Sequence, residues 1–144
     1  MNINKNELES ILPHKGKMFL IDEIVDYDTK NWTVASKTYI SKDFMFFDEK
    51  INAVPNYAVF ELVAQSISAL TGIHAKENNL PINMGMILSV ANTEFKNLFI
   101  NEGQNVLVKA KRESEVDNVY NFSSEVFVDE KFFGNVNLTV MENR

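Results

Sequence analysis

The sequence predicts an α+β fold in which an antiparallel sheet curls around one long apolar helix. Residues 56–75 carry apolar side chains on all sides of a helical projection, which is typical of a helix buried on most of its surface. Two strand candidates precede this segment and four follow it, and short turns between them favour antiparallel pairing. Because no other helix candidate is long enough to cover the central one, the sheet must do so.

The elements are predicted in the following order. A short helix over residues 4–12 ends at Pro13, and strands over residues 18–27 and 32–40 form a hairpin around the turn cluster 28–31. Residues 41–55 are expected to be irregular. The central helix starts either with Asn56 as its N-cap or with Pro55 at its first position. Four strands then cover residues 84–95, 106–112, 120–128 and 132–141.

In each of four predicted strands, alternation places a set of side chains on the same face. The members of these faces are Trp32, Val34, Ser36 and Thr38; Val106, Val108 and Ala110; Tyr120, Phe122, Val126 and Val128; and Phe132, Gly134, Val136, Leu138 and Val140.

Length and composition limit the classes of protein. A chain of 144 residues suits one domain, and without repeats or linkers we expect residues 1–144 to form it. There is no cysteine, which excludes disulfides, thiolate catalysis and iron–sulfur clusters, and two histidines make a multi-histidine metal site within one chain improbable. The net charge of −6 argues against nucleic acid as a partner. No cofactor or metal is expected.

The predicted location is the cytoplasm. Residues 1–10 are polar and lack the apolar core of a secretory signal. No run of apolar residues is long enough to suggest a membrane span. A soluble protein is therefore expected.

Glu61 is the first candidate for chemistry, because it interrupts the apolar central helix. Glutamate is rarely buried without a partner, and burial favours the protonated form that a general acid needs. Tyr57 and Gln65 lie one turn away on the same helical face. The alternative is a narrow solvent-exposed stripe on which Glu61 pairs with Gln65, and the pattern alone leaves both open.

The two histidines have different settings. His14 follows the helix-stopping Pro13, so it is either a general base or a histidine that favours a helix C-terminus. His74 lies near the end of the central helix, which favours the second role. Thirteen residues separate it from Glu61, about 20 Å along a helix axis, too far for a shared site.

Aromatic and basic clusters complete the candidates. Phe44, Phe46 and Phe47 are compatible with an acyl tunnel, although packing is the commoner role of such a cluster. Lys15 and Lys17 form one basic patch, and Lys109, Lys111 and Arg112 form a second, for which we favour a solvated face. Either patch is also compatible with a phosphate or an acidic carrier protein.

Two motifs resemble a known family. Leu12-Pro13-His14-Lys15, followed by the run 18–22 (MFLID), is similar to the Leu-Pro-His-Arg…Leu-Val-Asp segment of the 3-hydroxyacyl-acyl-carrier-protein dehydratases. Val54-Pro55 and the later run 61–65 (ELVAQ) resemble their Met-Pro-Gly…Glu-Ala-Leu-Ala-Gln helix. The spacing from proline to glutamate and the order of elements also match. The resemblance implies the hotdog fold, an antiparallel sheet wrapped around one long central helix.

One segment departs from that family. Those dehydratases carry His-Phe-Pro-Gly fourteen residues before the glutamate, where this chain has Phe47. The helix start also differs, since Asn56 replaces the glycine after Pro55. A divergent branch, the aryl-polyene dehydratases, resembles this chain more closely, because it also lacks the His-Phe-Pro-Gly segment and keeps Leu-Pro-His. Its Val-Pro…Glu-Tyr-Met-Ala-Gln-Ala-Ile-Ala-Ala helix is similar to Val54-Pro55 and residues 61–69 here. Its strand Phe-Leu-Leu-Gly-Val also resembles residues 86–90 here.

The resemblance implies dehydration of a 3-hydroxyacyl thioester, carried by acyl carrier protein or CoA, in fatty-acid or polyene biosynthesis. Glu61 is then the general acid, His14 the base, and the amides of Asn56 and Tyr57 the oxyanion site. Gln65 and Phe47 are expected to contact substrate. Such proteins form dimers with sites at the interface, so a homodimer or a hetero-oligomer with a related hotdog subunit is expected. Two alternatives remain: a non-catalytic acyl-binding or partner subunit, and an acyl thioesterase.

Overall fold

A computed structural model describes residues 2–12, 16–82 and 85–142. In chain order, the elements are β1 (Ile3–Asn4), α1 (Lys5–Leu8), a 3₁₀ turn (Gly16–Met18), β2 (Glu23–Asp28), β3 (Thr33–Tyr39), β4 (Ala53–Pro55), α2 (Ala58–Glu77), β5 (Gly85–Phe95), β6 (Phe99–Asn101), β7 (Asn105–Val116), β8 (Val119–Val128) and β9 (Lys131–Glu142).

One antiparallel sheet carries most of these strands. Their spatial order is β1-β2-β3-β7-β8-β9-β5, while β4 and β6 form a separate two-stranded ribbon. The helix α2 packs against β2, β3, β7 and β9. Its buried side chains join those of the sheet in one hydrophobic cluster. The predicted α+β class with a wrapped central helix is therefore confirmed.

The central helix begins later than predicted. Pro55 closes β4 instead of opening the helix, and the N-cap is Tyr57, which makes no side-chain capping bond. Asn56 is not the N-cap, because its side chain donates to the Asn97 carbonyl at 3.2 Å. This backbone anchor, which is remote in sequence, outcompetes the local cap that asparagine usually supplies.

Three short strands were missed, and several boundaries differ from the predicted ones. The segment 18–22 is not strand: its first residue ends a 3₁₀ turn, and β2 starts only at Glu23. The first helix is confined to Lys5–Leu8, where Asn4 and Glu7 form a capping box. β1, β4 and β6 have only two or three residues each, too few for a periodic signal.

The faces grouped by alternation are the buried ones, with one exception. The members on β3, β7 and β8 are buried, apart from the half-buried Trp32 beside them. On β9, a bulge beside Val126 and Phe127 breaks the alternation. Phe132 therefore points outward, where its ring packs edge-on against Phe127 at 5.9 Å, and Phe133 takes the buried place.

The second basic patch is only partly a solvated face. Lys109 and Lys111 are exposed, as predicted. The Arg112 guanidinium instead lies over the rings of Trp32 (3.9 Å) and Tyr120 (4.9 Å). His74 lies in the last turns of α2, as expected, and its ring stacks on Trp32 at 4.6 Å. This cluster joins the far end of α2 to the sheet.

The sequence analysis expected no apolar run long enough to span a membrane, and the helix α2 corrects that expectation. Among the described residues, it is the one helix long and apolar enough to cross a membrane, and 67% of that apolar window is buried inside the fold. A core helix passes the same test of length and composition. Here α2 is that core helix.

Candidate functional site

Gln65 connects the central helix to the chain that follows the 3₁₀ turn. Its amide nitrogen donates to the Met18 carbonyl at 2.7 Å, and its amide oxygen accepts from the Leu20 N–H at 3.0 Å. The side chain is fully buried, with 0% exposure. Gln65 therefore satisfies the hydrogen-bonding capacity of the Met18 carbonyl and the Leu20 N–H. The same two bonds fix this segment of the chain on α2.

Glu61 lies one turn before Gln65 on the same helical face. The Gln65 amide nitrogen also donates to a Glu61 carboxylate oxygen, at 3.2 Å. Glu61 is half-buried and belongs to a stripe of half-buried α2 residues that continues through Ala64, Ser68 and Thr71. The pairing with Gln65 is therefore confirmed. The Glu61 side chain is thus neither sealed in the core nor fully solvated.

The start of α2 does not present all the amides expected of it. The Asn56 N–H donates to the Leu98 carbonyl at 2.9 Å, so it is engaged and the expectation that it faces a ligand is wrong. The Val59 and Phe60 N–H groups close turns on the carbonyls of Asn56 and Tyr57. The amides of Tyr57 and Ala58 remain the candidates at this end of the helix, where the macrodipole favours negative charge.

The aromatic cluster before α2 packs against the core. Phe44, Phe46 and Phe47 are half-buried there, and the Phe44 and Phe46 rings are 6.1 Å apart. The predicted acyl-tunnel role of Phe47 therefore stays a prediction. A second aromatic row begins on α2 with Phe60, the residue before Glu61. The ring centres of Phe60 and Phe95 are 5.7 Å apart, and those of Phe95 and Phe133 are also 5.7 Å apart. Spacing along the sequence did not reveal this row, because β5 and β9 supply two of its members.

His14, the predicted base, lies outside the described residues, as do Pro13 and Lys15. The chain on either side of them is held on α2. Ile11 lies against the backbone of Gly72, and Met18 and Leu20 are held by Gln65. The sequence therefore enters and leaves the His14 region on the helix that carries Glu61.

Replacing Gln65 with leucine is expected to destabilise the fold by about 2–3 kcal/mol, because a leucine of similar volume leaves the Met18 carbonyl and the Leu20 N–H without their buried partner. Chemical denaturation with urea measures this change. Gln104→Leu is the matched control: this amide lies in a turn beside solvent, where water can replace its bonds to Asn101 and Asp129. Equal losses in the two variants would contradict the role given to Gln65.

The sheet ends at β5 in an apolar edge. Within the described parts of the chain, this strand pairs with β9 alone, and its large side chains are exposed, among them Met86 (52%) and Leu88 (48%). Glu94 is its only ionisable residue. A long, apolar, unpaired edge strand is a template for pairing with another chain.

Metal ligation has no candidate in the described part of the chain. Within residues 2–12, 16–82 and 85–142, no three His, Cys, Asp or Glu side chains gather closely enough to hold an ion.

Similarity to known proteins agrees with this geometry. The family model of the ApeP-like dehydratases, described as ApeP dehydratase, matches residues 6–144. The chain belongs to the ApeP-like dehydratase family. The resemblance inferred from the Leu-Pro-His and Glu-x-x-Ala-Gln motifs is thereby confirmed, as is a dehydratase-like function.

Two relatives of this ApeP-like dehydratase are named as FabZ dehydratases. It is 25% identical over 132 residues to the 3-hydroxyacyl-[acyl-carrier-protein] dehydratase FabZ of Pseudoalteromonas translucida, covering 90% of this chain and 87% of the relative. The FabZ of Chlamydia caviae is 23% identical over 97 residues, covering 65% and 62%.

Solved structures confirm the hotdog fold. The dehydratase heterocomplex ApeI:P from Xenorhabdus doucetiae superposes with a TM-score of 0.86 at 18% identity, covering 95% of this chain and 91% of that one. A hypothetical thioesterase with coenzyme A from Streptococcus pneumoniae superposes with a TM-score of 0.64 at 9% identity, covering 83% and 84%. At these identities, the likeness concerns the fold alone.

Proposed function

We propose that this protein dehydrates 3-hydroxyacyl thioesters as a catalytic ApeP-like subunit. The observation that carries the proposal is Glu61, a half-buried residue in the first turn of the central helix, whose carboxylate accepts a hydrogen bond from Gln65. Glu61 therefore belongs to the same end of α2 as the amides that open the helix. Acid and oxyanion donors thus belong to one rigid element, which suits a reaction that needs both together.

The reaction divides between a base, an acid and an oxyanion site. A base removes the proton from the carbon next to the thioester carbonyl, and the negative charge develops on the carbonyl oxygen. The Tyr57 and Ala58 amides stabilise that oxygen. Glu61, as the acid, supplies a proton to the leaving hydroxyl. The products are the 2-enoyl thioester and water, and the base and Glu61 then exchange protons with solvent.

Gln65 acts in this proposal by positioning, not by contact with substrate. Its nitrogen serves both Glu61 and the Met18 carbonyl, and its oxygen serves Leu20. A buried amide engaged in this way has little capacity left for a ligand. It therefore orients the Glu61 carboxyl and ties it to the chain that follows His14.

His14 is the base in this proposal. Histidine exchanges a proton near neutral pH, and His74 stacks on Trp32 in the last turns of α2, far from Glu61. His14 acts on the Glu61 of its own chain or on that of a partner. In either case, Phe47 cannot transfer a proton, because its side chain has no ionisable group. It contributes apolar surface for the acyl chain instead.

The variant His14→Ala is expected to lower kcat for dehydration by about 10²–10⁴-fold, the usual contribution of a general base. Loss of water from a 3-hydroxyacyl thioester, followed by mass spectrometry, measures the rate. His74→Ala is the matched control and should keep kcat close to that of the wild type. Full activity of His14→Ala would remove this residue from the mechanism.

The partner is a second hotdog subunit that pairs along β5. The exposed apolar side chains of this strand, its unpaired edge and its single charge favour such pairing. With one ionisable residue in eleven, two antiparallel copies of β5 bring few like charges together, so a homodimer is electrostatically acceptable. A related subunit of different sequence fits the same edge, and the ApeI:P dehydratase is itself a heterocomplex.

The substrate and location follow from the same proposal. The acyl group arrives as a thioester on acyl carrier protein or on CoA, as the FabZ name implies for the relatives. The protein works in the cytoplasm, in fatty-acid or polyene biosynthesis. Since Phe47 replaces the histidine of typical dehydratases, the second candidate is a subunit that completes the site of an active partner.

One assay separates the candidates. The purified protein is incubated with 3-hydroxyacyl-CoA and, separately, with 3-hydroxyacyl carrier protein, with and without a related hotdog subunit. Enoyl thioester formed by the protein alone supports the proposal. Product formed only with the partner supports the subunit role. Release of free thiol without loss of water would establish a thioesterase instead.

A further inference from the structure

A row of three phenylalanine rings joins the central helix to the end of the sheet. The ring centres of Phe60 and Phe95 are 5.7 Å apart, and Phe133 continues the row from β9. Phe133 is buried, whereas Phe60 and Phe95 are half-buried and pack against the core cluster. The row therefore starts at a fixed point in the core and ends on α2 at a ring that is only partly covered.

Two features of the sheet place Phe95 in this row. A bulge between Ala91 and Glu94 adds one residue to β5, so that Phe95 lies opposite the inward-facing Gly134 and not on the outer face. A methyl group on Gly134 would collide with the Glu94 carbonyl and would lie 2.7 Å from the Phe95 ring. Because glycine weakens a strand interior, its presence here serves this close approach. The Phe95 ring is thus held on the inner face of the sheet.

Phe60 and Glu61 lie at the two borders of the half-buried side of α2. Successive residues of a helix point about 100° apart. Glu61 is bound by Gln65 on one side, whereas the Phe60 ring contacts Phe95 on the other. Ala64 lies between these two directions, one turn further along, and is also half-buried. We define the open flank as the surface of α2 bounded by Phe60, Glu61 and Ala64.

The inner face of β5 offers further apolar surface beyond Phe95. Ile87 and Val90 lie opposite Val140 and Leu138, whose side chains are buried, so both point to the inner side of the sheet. They are nevertheless 44% and 43% exposed, which shows that α2 does not cover them. The side of the open flank that Phe60 borders is therefore apolar, which suits an acyl chain better than a polar group.

We propose that Phe60 is the specificity-determining residue of this protein: its ring, fixed by Phe95, limits the bulk of the acyl chain next to the carbon that loses its hydroxyl group. The inference rests on the proposed role of Glu61. A substrate whose hydroxyl lies at Glu61 occupies the open flank, and the Phe60 ring is then the opposite wall for the chain beyond that carbon. A straight chain passes this wall, whereas a branch at the next carbon, C4, collides with it.

Phe60→Ala is the test. The substrates are the 3-hydroxypentanoyl thioester and its analogue with a methyl branch at C4, on the carrier that the wild type accepts, and mass spectrometry measures the enoyl products. We expect the ratio of kcat/KM for the branched over the straight substrate to rise about 10-fold, since one methyl group in an apolar pocket is worth about 10- to 200-fold. The straight substrate should keep most of its kcat. An unchanged ratio in the folded variant overturns the proposal.

Smaller changes keep the test decisive if Phe60→Ala does not fold. Phe60→Leu keeps an apolar side chain but removes the ring, and it should raise the ratio about threefold. Phe95→Leu leaves α2 unchanged and removes the support of Phe60, so it should also raise the ratio. A ratio equal to that of the wild type in Phe60→Leu overturns the proposal, and a raised ratio supports it.

Phe127→Ala is the matched control. This phenylalanine is also half-buried, and its ring lies 5.9 Å from that of Phe132, but on the outer face of the sheet. The variant should have a lower melting temperature and an unchanged substrate ratio. A rise equal to that of Phe60→Ala would indicate a general loosening of the fold and would count against a wall at Phe60.

Binding separates this proposal from the proposed function. Titration calorimetry with the saturated pentanoyl and 4-methylpentanoyl thioesters, which cannot lose water, gives Kd without turnover. A preference for the straight chain that Phe60→Ala removes supports the wall, even if Glu61→Gln keeps full activity and the proposed function fails. Absence of this preference, or of any binding, overturns the wall. So does a Phe60→Ala variant that dissociates the assembly and keeps the preference, because the partner then covers the open flank.

Discussion

Glu61→Gln is expected to lower kcat for dehydration by about 10²–10⁴-fold, as much as the loss of the proposed base His14. Glutamine has nearly the same shape and keeps a hydrogen-bonding group beside Gln65, so the helix and its contact with Met18 should survive. It cannot donate a proton to the leaving hydroxyl. The loss should therefore fall on kcat, with KM nearly unchanged.

Mass spectrometry of the enoyl product measures the rate, and urea denaturation checks that the variant remains as stable as the wild type. Glu77→Gln is the control, because it makes the same change on the same helix. Its carboxylate is exposed and accepts from Thr29 at 2.7 Å, away from the helix start. A Glu61→Gln variant as active as Glu77→Gln would exclude the general-acid role.

Leu88→Lys is expected to dissociate the protein from its hotdog partner, the second large effect. In the isolated chain, Leu88 is 48% exposed on the edge strand β5, so lysine costs the folded monomer little. If the sheet continues across β5 into a partner, the lysine charge is placed among apolar side chains. Natural edge strands use such charges to prevent pairing. Activity should fall with the assembly if residues of both subunits form the site.

Light scattering after size-exclusion chromatography measures the molar mass. A wild-type dimer that becomes a monomer identifies a second copy as the partner. A chain that is monomeric alone and binds a related subunit through β5 identifies a heteromer. Val116→Lys is the control, since Val116 is 69% exposed at the end of β7 and three strands from β5. If Leu88→Lys leaves the assembly intact, the interface does not lie at β5.

The sequence predicted the elements whose signal repeats along the chain. The central helix follows from an apolar stretch of some twenty residues, and β3, β7 and β8 follow from alternation; the structure confirms these elements. Short elements were missed, because β1, β4 and β6 depend on pairing with distant residues. The bulge that reverses Phe132 and Phe133 was missed for the same reason: one extra residue has no signature in the alternation.

For the site, the sequence identified Glu61 and its pairing with Gln65, since residues four apart on a helix are neighbours whatever the fold. It did not predict the bonds of Gln65 to Met18 and Leu20, and it offered Asn56 as a local cap, whereas the Asn56 side chain binds the Asn97 carbonyl. The partners of these amides, Met18, Leu20 and Asn97, lie more than forty positions away. An amide's hydrogen bonds depend on what the fold brings next to it, which its neighbours in sequence do not encode.

By itself, then, the sequence determined the central helix, the alternating strands, the family motifs and the acidic residue within the helix. The tertiary structure alone decided that Gln65 is a buried link, that Gly72 admits Ile11, and that β5 ends the sheet as an apolar edge. The physical reason is range. Periodicity and helix neighbours act over a few residues, whereas close approach and burial are properties of segments that meet only in the folded chain.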